Sequence, residues 1–180
     1  MQRNLDEEHF MIAIGIDYGT TNSLVAIYQR EMLSKKIKKV HKTSSVYSNG
    51  VYVRSPKRLL NDLQSNNPNE ITSYIDNCVR TLLIDLQGKL TEEKKKKKIK
   101  LAVTVPNAFK DNQCDLLKES ILRSFANVFK TFDKDSVEII PEPVAAALYY
   151  AYCLKMNSGQ LGKRIYIIVS DMGGGTTDLA

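Results

Sequence analysis

The stretch Ile14-Gly15-Ile16-Asp17-Tyr18-Gly19-Thr20-Thr21-Asn22-Ser23-Leu24-Val25-Ala26 decides how the chain is read. An apolar strand runs into a carboxylate, a glycine and two hydroxyls, and a second apolar run leaves the turn as the return strand of a hairpin. Such a turn can hold phosphate. Asp17 at the strand end can hold a hydrated divalent cation, and Gly19 lets the backbone approach an anion closely. Backbone N–H groups, with Thr20 and Thr21, supply donors for phosphate oxygens. The same residues also suit an ordinary hairpin turn, in which Asp, Gly and Thr occupy favoured positions.

An echo near the other end of the sequence favours the first reading. Ile168-Val169-Ser170-Asp171-Met172-Gly173-Gly174-Gly175-Thr176-Thr177-Asp178-Leu179-Ala180 repeats the plan of strand, Asp, Gly, Thr-Thr and apolar restart, with two further glycines. Two such turns predict a duplicated architecture in which two lobes each present a phosphate loop to a shared cleft. The sequence then reads as one lobe, with residues 165–180 as the first strand and phosphate loop of an absent second lobe.

Composition is that of a globular protein: 180 residues, 43% hydrophobic and 26% charged, enough for one domain with a real core. No run of about 18 apolar residues spans a bilayer. Residues 1–10 read as a mobile polar leader without the apolar segment of a secretory signal, so the expected setting is cytoplasmic, with no membrane partner. Cys78, Cys114 and Cys153 are few and widely spaced, which predicts reduced thiols rather than a disulfide framework or a metal knuckle. The net charge of +6 raises the question of nucleic acid. Its distribution argues against a specific site, because the lysines cluster at 35–42 and 94–98 without the arginine or aromatic interleaving that base stacking uses.

Hydrophobic period places the elements. Met11–Ile16 and Ser23–Tyr28 are expected strands, the Lys-rich segment that follows has no clear period, and Asn49-Gly50 between β-formers predicts a tight hairpin. Asn61–Asn69 reads as a loop. Ile71, Tyr74, Ile75, Cys78, Val79, Leu82, Leu83 and Leu86 then share one helical face, with Gly88 as its stop. Leu101, Val103 and Val105 alternate on a strand ended by Pro106. Asp111 or Asn112 is the expected cap of the next helix, Val137–Ile140 is another strand, and Pro141-Glu142-Pro143 breaks it before an alanine-rich helix. Ile165–Ser170 closes the order as a strand, which predicts a mixed α/β sheet lobe.

Open α/β sheets bind ligands at the carboxyl ends of their strands, and Asp17, Glu142 and Asp171 each stand at such an end. Converging carboxylates repel one another unless a divalent cation shares the site, so Mg²⁺ is the natural guest. For Glu142 the alternative is a helix N-terminal acid favoured by the dipole. The chain has no G-x-x-x-x-G-K-[ST] loop and no G-x-G-x-x-G. Its two histidines, His9 and His41, fall in the leader and a basic segment, which excludes a His-dependent triad or a zinc site.

Four stretches resemble, in order, the ATPase-domain signatures of the seventy-kilodalton heat-shock (DnaK-type) chaperones. They are Asp17 to Ser23, Val103-Thr104-Val105-Pro106, Ile140-Pro141-Glu142-Pro143-Val144-Ala145-Ala146-Ala147-Leu148, and Asp171 to Asp178. The resemblance implies a ribonuclease-H-like lobe of the actin and heat-shock ATPase type, with core segments 11–34 and 96–164 and a shortened inserted subdomain over 35–95. It implies that Asp17, Thr20 and Thr21 contact Mg²⁺ and the phosphates of ATP or ADP, and that Asp171 holds the metal's water shell. Gly173, Gly174, Gly175 and Thr176 would cradle phosphate, Glu142 would assist the metal or water, and Pro143 would sit at the switch that transmits nucleotide state. Lys57, in Ser55-Pro56-Lys57-Arg58-Leu59-Leu60, resembles the family's catalytic lysine, an ammonium that stabilises charge near the γ-phosphate; the alternative is a solvated lysine. Cys114 stands where the family has an arginine that couples ATPase to substrate-binding domain. The implied partners are nucleotide and, within a longer chain, unfolded client proteins and co-chaperones. The expected function is therefore an ATP-hydrolysing chaperone fragment, against two rivals: another phosphotransferase of the superfamily, such as a sugar kinase, and a non-enzymatic lobe acting through partners.

Overall fold

In the computed structural model, Ile12, Ile14 and Ile16 are sealed from solvent while Ala13, Gly15 and Asp17 between them are not. That two-residue alternation defines β1 (Ile12–Asp17) as a strand with one face on the core. The residues described are 12–20, 22–31, 34–44, 47–48, 52–53, 56–63, 67–88, 90, 99–129, 132–158, 166–172 and 177–179. The chain continues through β2 (Asn22–Glu31), β3 (Ser34–Ser44), a small hairpin of β4 (Tyr47–Ser48) and β5 (Tyr52–Val53), the single turn α1 (Pro56–Leu59) with a 3-10 turn Leu60–Asp62, and α2 (Pro68–Gly88). Then come β6 (Ile99–Val105), α3 (Asp111–Val128), β7 (Phe132–Pro141), α4 (Glu142–Ser158), β8 (Ser170–Met172) and β9 (Thr177–Leu179).

Five strands form one sheet in the order β3-β2-β1-β6-β7. β2 runs antiparallel to both of its neighbours, whereas β1, β6 and β7 are mutually parallel. This mixed sheet with one reversed strand and flanking helices has the ribonuclease-H-like arrangement that the sequence predicts. Parallel strands need crossover connections, and α2 and α3 provide them on the way to β6 and β7. The two helices pack on each other: the Ser124 hydroxyl of α3 donates to Asp76 Oδ1 of α2 at 2.5 Å, and Gln87 Nε2 donates to the Val128 carbonyl at 2.5 Å.

α2 forms where the sequence predicts it. Asn67 Oδ1 accepts the Asn69 N–H at 3.0 Å, Pro68 begins the helix where a missing N–H costs nothing, and the apolar stripe from Ile71 to Leu86 is buried. Ile71, Ile75, Val79, Leu83 and Leu86 are completely buried, each contributing about 1.5–3 kcal/mol by leaving water.

Two features differ from the sequence expectation. The Lys-rich segment is β3, the edge strand of the main sheet. A bulge sets Ile37 opposite Tyr28 and Val40 opposite Ala26, so two apolar residues three apart take rungs two apart, which hides the strand period. β3 lies in the main sheet, and α2 buries its apolar face in the core. The closing strand begins at Ser170, residues 166–169 of the expected strand are not in it, and Tyr166 and Ile168 are exposed. A strand persists only where a neighbour completes its ladder, and in this region the pairing described runs from Ser170 to Met172 against β9.

Candidate functional site

Asp17 on β1 lies opposite Thr104 on β6, and Thr104 lies opposite Ile140 on β7. The three strands are parallel, so this line marks the carboxyl edge of the sheet, where open α/β folds bind ligands. The Thr104 hydroxyl donates to Asp17 Oδ1 at 3.1 Å. With neighbouring strands roughly 4.8 Å apart, the backbones of Asp17 and Ile140 are about 10 Å apart. Two residues after Ile140, Glu142 opens α4, where the helix dipole favours its carboxylate.

Glu142 is not only a helix acid. Its Oε1 accepts from Lys57 Nζ at 2.5 Å, with side-chain exposures of 13% and 6%. Lys57 is thus a buried ammonium held against a carboxylate from the carboxyl edge of the sheet, not a solvated lysine. The ring of Phe109 lies 6.0 Å from the same nitrogen, at the outer reach of a cation–π contact.

The turn after β1 is tight. A Cβ placed on Gly19 would lie 2.0 Å from the Asn22 carbonyl oxygen, so the backbone folds onto itself at a distance only glycine permits. Thr20 follows, half-buried. Tyr18 points inward and is completely buried; its hydroxyl has no hydrogen-bond partner among the described residues. Burial, with the nearby Cys78 adding to it, pushes that phenol well above its ordinary value. Burial likewise raises the Cys78 thiol, against a smaller opposing effect of its bond to Ser23. Cys78 Sγ donates to Ser23 Oγ at 3.8 Å. A buried protonated thiol of this kind fills space and is no nucleophile.

Asp171 is in β8, directly opposite Asp178 on β9. In both hairpins the strand-end aspartate faces the residue seven positions later, Leu24 in the first and Asp178 in the second. The β8–β9 hairpin lies against α4. Thr21, Gly173, Gly174, Gly175 and Thr176 lie outside the described residues, as does the leader 1–10. Among the described residues no three of His, Cys, Asp and Glu gather at metal-binding distance. Mg²⁺ needs no such cluster, since it keeps several waters and takes one or two carboxylates; Asp17, a hard oxygen donor beside the Thr104 hydroxyl, suits it.

Two residues next to the site escape a reading of the sequence. Thr104 fixes the Asp17 carboxylate, and Gln113 ties α3 to the segment that carries Lys57. The sequence points to Asp111 or Asn112 as the cap of α3; instead Lys110 occupies the N-cap and Gln113 Oε1 accepts its N–H at 2.7 Å. A glutamine three residues into a helix is the capping-box position, the one signal that points to it.

No family model matches the chain. Curated relatives do. The chaperone protein DnaK of Mycoplasmopsis pulmonis is 28% identical over 189 aligned residues, taking in 94% of this chain and 29% of that protein. The chaperone protein HscA of Buchnera aphidicola is 26% identical over 220 aligned residues, taking in 98% of this chain and 40% of that one. A heat shock protein of Pyricularia oryzae is 33% identical over 103 residues, 57% of this chain and 15% of its own. The chain is a distant relative of the seventy-kilodalton heat-shock chaperones. It spans less than half the length of these relatives. Among solved structures, an Aquifex aeolicus member of the Ppx/GppA family is 19% identical with a TM-score of 0.47, over 93% of this chain and 45% of that one. The four heat-shock-like stretches fall at the β1–β2 turn, the end of β6, the β7–α4 junction and the β8–β9 hairpin, so each sits at a strand end.

Proposed function

We propose that this chain is the first lobe of an ATP-binding, ATP-hydrolysing domain of a heat-shock-type chaperone that acts in protein folding. One observation carries the reading: a buried Lys57–Glu142 pair at the same sheet edge that holds Asp17 against Thr104. An ammonium withdrawn from water and held by a residue at the carboxyl edge of the sheet suits phosphoryl transfer, because that chemistry depends on positioning and charge stabilisation. Asp17 and Asp171 would hold Mg²⁺, which when bound neutralises charge on the phosphate oxygens. Gly19, Thr20 and Thr21, with Gly173, Gly174, Gly175 and Thr176, would supply donors to the phosphates of ATP or ADP. Lys57 would face the terminal phosphate, and Glu142 would hold that ammonium when no phosphate is present and orient water when one is.

In this reading residues 165–180 open a second lobe that completes the adenosine site, and a longer chain would meet unfolded client proteins and co-chaperones in the cytoplasm. Among the described residues no helix is long and apolar enough to cross a membrane. A lobe that offers phosphate contacts alone binds weakly, because few contacts must offset the lost freedom of the ligand. The test is a calorimetric titration of Mg-ATP into the chain, and into a longer form carrying the second lobe, each beside its Asp17→Ala variant. Loss of affinity in the variant supports the site; equal affinity sinks it.

A second, non-enzymatic reading draws on exposed Leu148, Tyr149, Tyr150, Tyr166 and Ile168, an apolar and aromatic set of the kind found at protein interfaces. Its sign is a folded chain whose melting temperature is unmoved by millimolar Mg-ATP.

A further inference from the structure

We propose that Gln113 is a positioning residue for Lys57; the proposal rests on the nucleotide reading of this sheet edge and deepens it. Gln113 is a buried side chain near the start of α3, and both ends of its amide are used. Oε1 accepts the Lys110 N–H at 2.7 Å and Nε2 donates to the Leu60 carbonyl at 2.6 Å. The first bond is a helix cap and would exist whatever lay nearby. The second crosses 53 positions of sequence to grip the chain three residues beyond Lys57.

α1 depends on that grip. It is a single turn of 4 residues, too short to hold itself, since one helical turn does not recover the cost of fixing its backbone. Its direction, and with it the direction of the Lys57 side chain, is set by what anchors its ends. Leu60 is completely buried at one end, and its carbonyl is held by Gln113. Phe109, four residues before Gln113 on the same approach to α3, presents its ring to the Lys57 ammonium. One short segment, Phe109 to Gln113, therefore places a ring 6.0 Å from the lysine nitrogen and fixes the turn that bears it. Removing the Gln113 donor leaves a carbonyl unpaired and frees the turn to shift, and displacements of about 1 Å are enough to matter at a reacting group.

The experiment has two independent readouts on the full chain. The first is the Lys57 ε-ammonium signal in ¹⁵N-edited NMR, whose proton exchange is slowed by burial against Glu142. Gln113→Leu removes both bonds; Gln113→Glu keeps the Oε1 acceptor for the Lys110 N–H and loses only the donor to Leu60. Both variants are expected to speed Lys57 ammonium exchange roughly three- to tenfold, the worth of one hydrogen bond, while Asn67→Ala, which uncaps α2, leaves it unchanged. Exchange at the wild-type rate in Gln113→Glu, with the backbone spectrum intact, overturns the proposal. The second readout is the preference for Mg-ATP over Mg-ADP by calorimetry. It is expected to fall by a similar factor in the Gln113 variants, and to fall no further when Gln113→Leu is added to Lys57→Met. Additive losses in that double variant also count against a role exerted through Lys57. A wild-type chain that binds neither nucleotide would remove the nucleotide reading, and the ammonium signal would still decide whether Gln113 positions Lys57.

Discussion

Lys57 and Glu142 are 85 positions apart in sequence, and their side chains meet at 2.5 Å with little of either exposed. Removing one member of such a pair leaves a charge without its partner in a poorly hydrated place, which costs about 3–5 kcal/mol; removing both together costs far less. Lys57→Met should therefore lower unfolding free energy by about 3 kcal/mol. Glu142→Gln added to it should restore most of the loss. Urea unfolding of both single variants and the double variant checks this, and additive losses in the double variant would mean that the pair is not coupled.

The turn at Gly19 gives a steric prediction. An alanine methyl there would overlap the Asn22 carbonyl oxygen, and because that atom is backbone it moves only if the hairpin opens. Gly19→Ala should cost about 1–3 kcal/mol, the range of overpacking. It should also abolish Mg-ATP binding by displacing Asp17 and Thr20. Gly15→Ala is the control, since nothing lies within 4 Å of its added methyl; thermal melts of the two variants should differ clearly.

Much of this was legible in the chain, and the reasons are physical. Ile12, Ile14 and Ile16, and the stripe from Ile71 to Leu86, carry the period of their own element, so local spacing reveals them. The bulge in β3 breaks that period between Ile37 and Val40, and no local rule recovers it. The carboxylates at strand ends were visible because strand and breaker are neighbours in sequence, as at Pro141-Glu142-Pro143. What Glu142 touches was not visible, because its partner lies in a short turn preceding α2 and only the folded topology joins them. Gln113 carried half of its role in a capping position, while its bond to Leu60 belongs to tertiary structure alone.

Tyr18 and Cys78 together set an alkaline limit on stability. Both are buried, and both hold their protons more tightly in the folded state than in the unfolded chain. Each contribution is thus fully present below the unfolded value and lost as pH rises toward the folded one. Loss should begin above pH 9.0 through Cys78 and steepen above 10.0 through Tyr18. Tyr18→Phe removes the second component. It also deletes a buried hydroxyl with no partner among the described residues, so it should raise stability at pH 7 by about 1 kcal/mol. Melting temperatures measured from pH 7 to 11 test both claims, and a Tyr18→Phe protein that loses stability at neutral pH would show that the hydroxyl is bonded.

α4 leaves Val144, Leu148, Tyr149 and Tyr150 exposed, and Tyr166 and Ile168 stand out beyond it. Large apolar side chains gathered along one element and the segment following it are a poor surface for a monomer, since apolar surface of that kind is usually covered. Covering a single leucine or tyrosine side chain is worth about 1.5–3 kcal/mol, so a few of them suffice to drive weak association. The chain should self-associate in sedimentation at tens of micromolar, and Leu148→Lys with Ile168→Lys should return it toward monomer without changing its melting temperature, because neither side chain belongs to the core. A wild-type chain that sediments as a clean monomer over this range would mean that these side chains are tolerated in water. The apolar face of α4 would then need no partner to explain it.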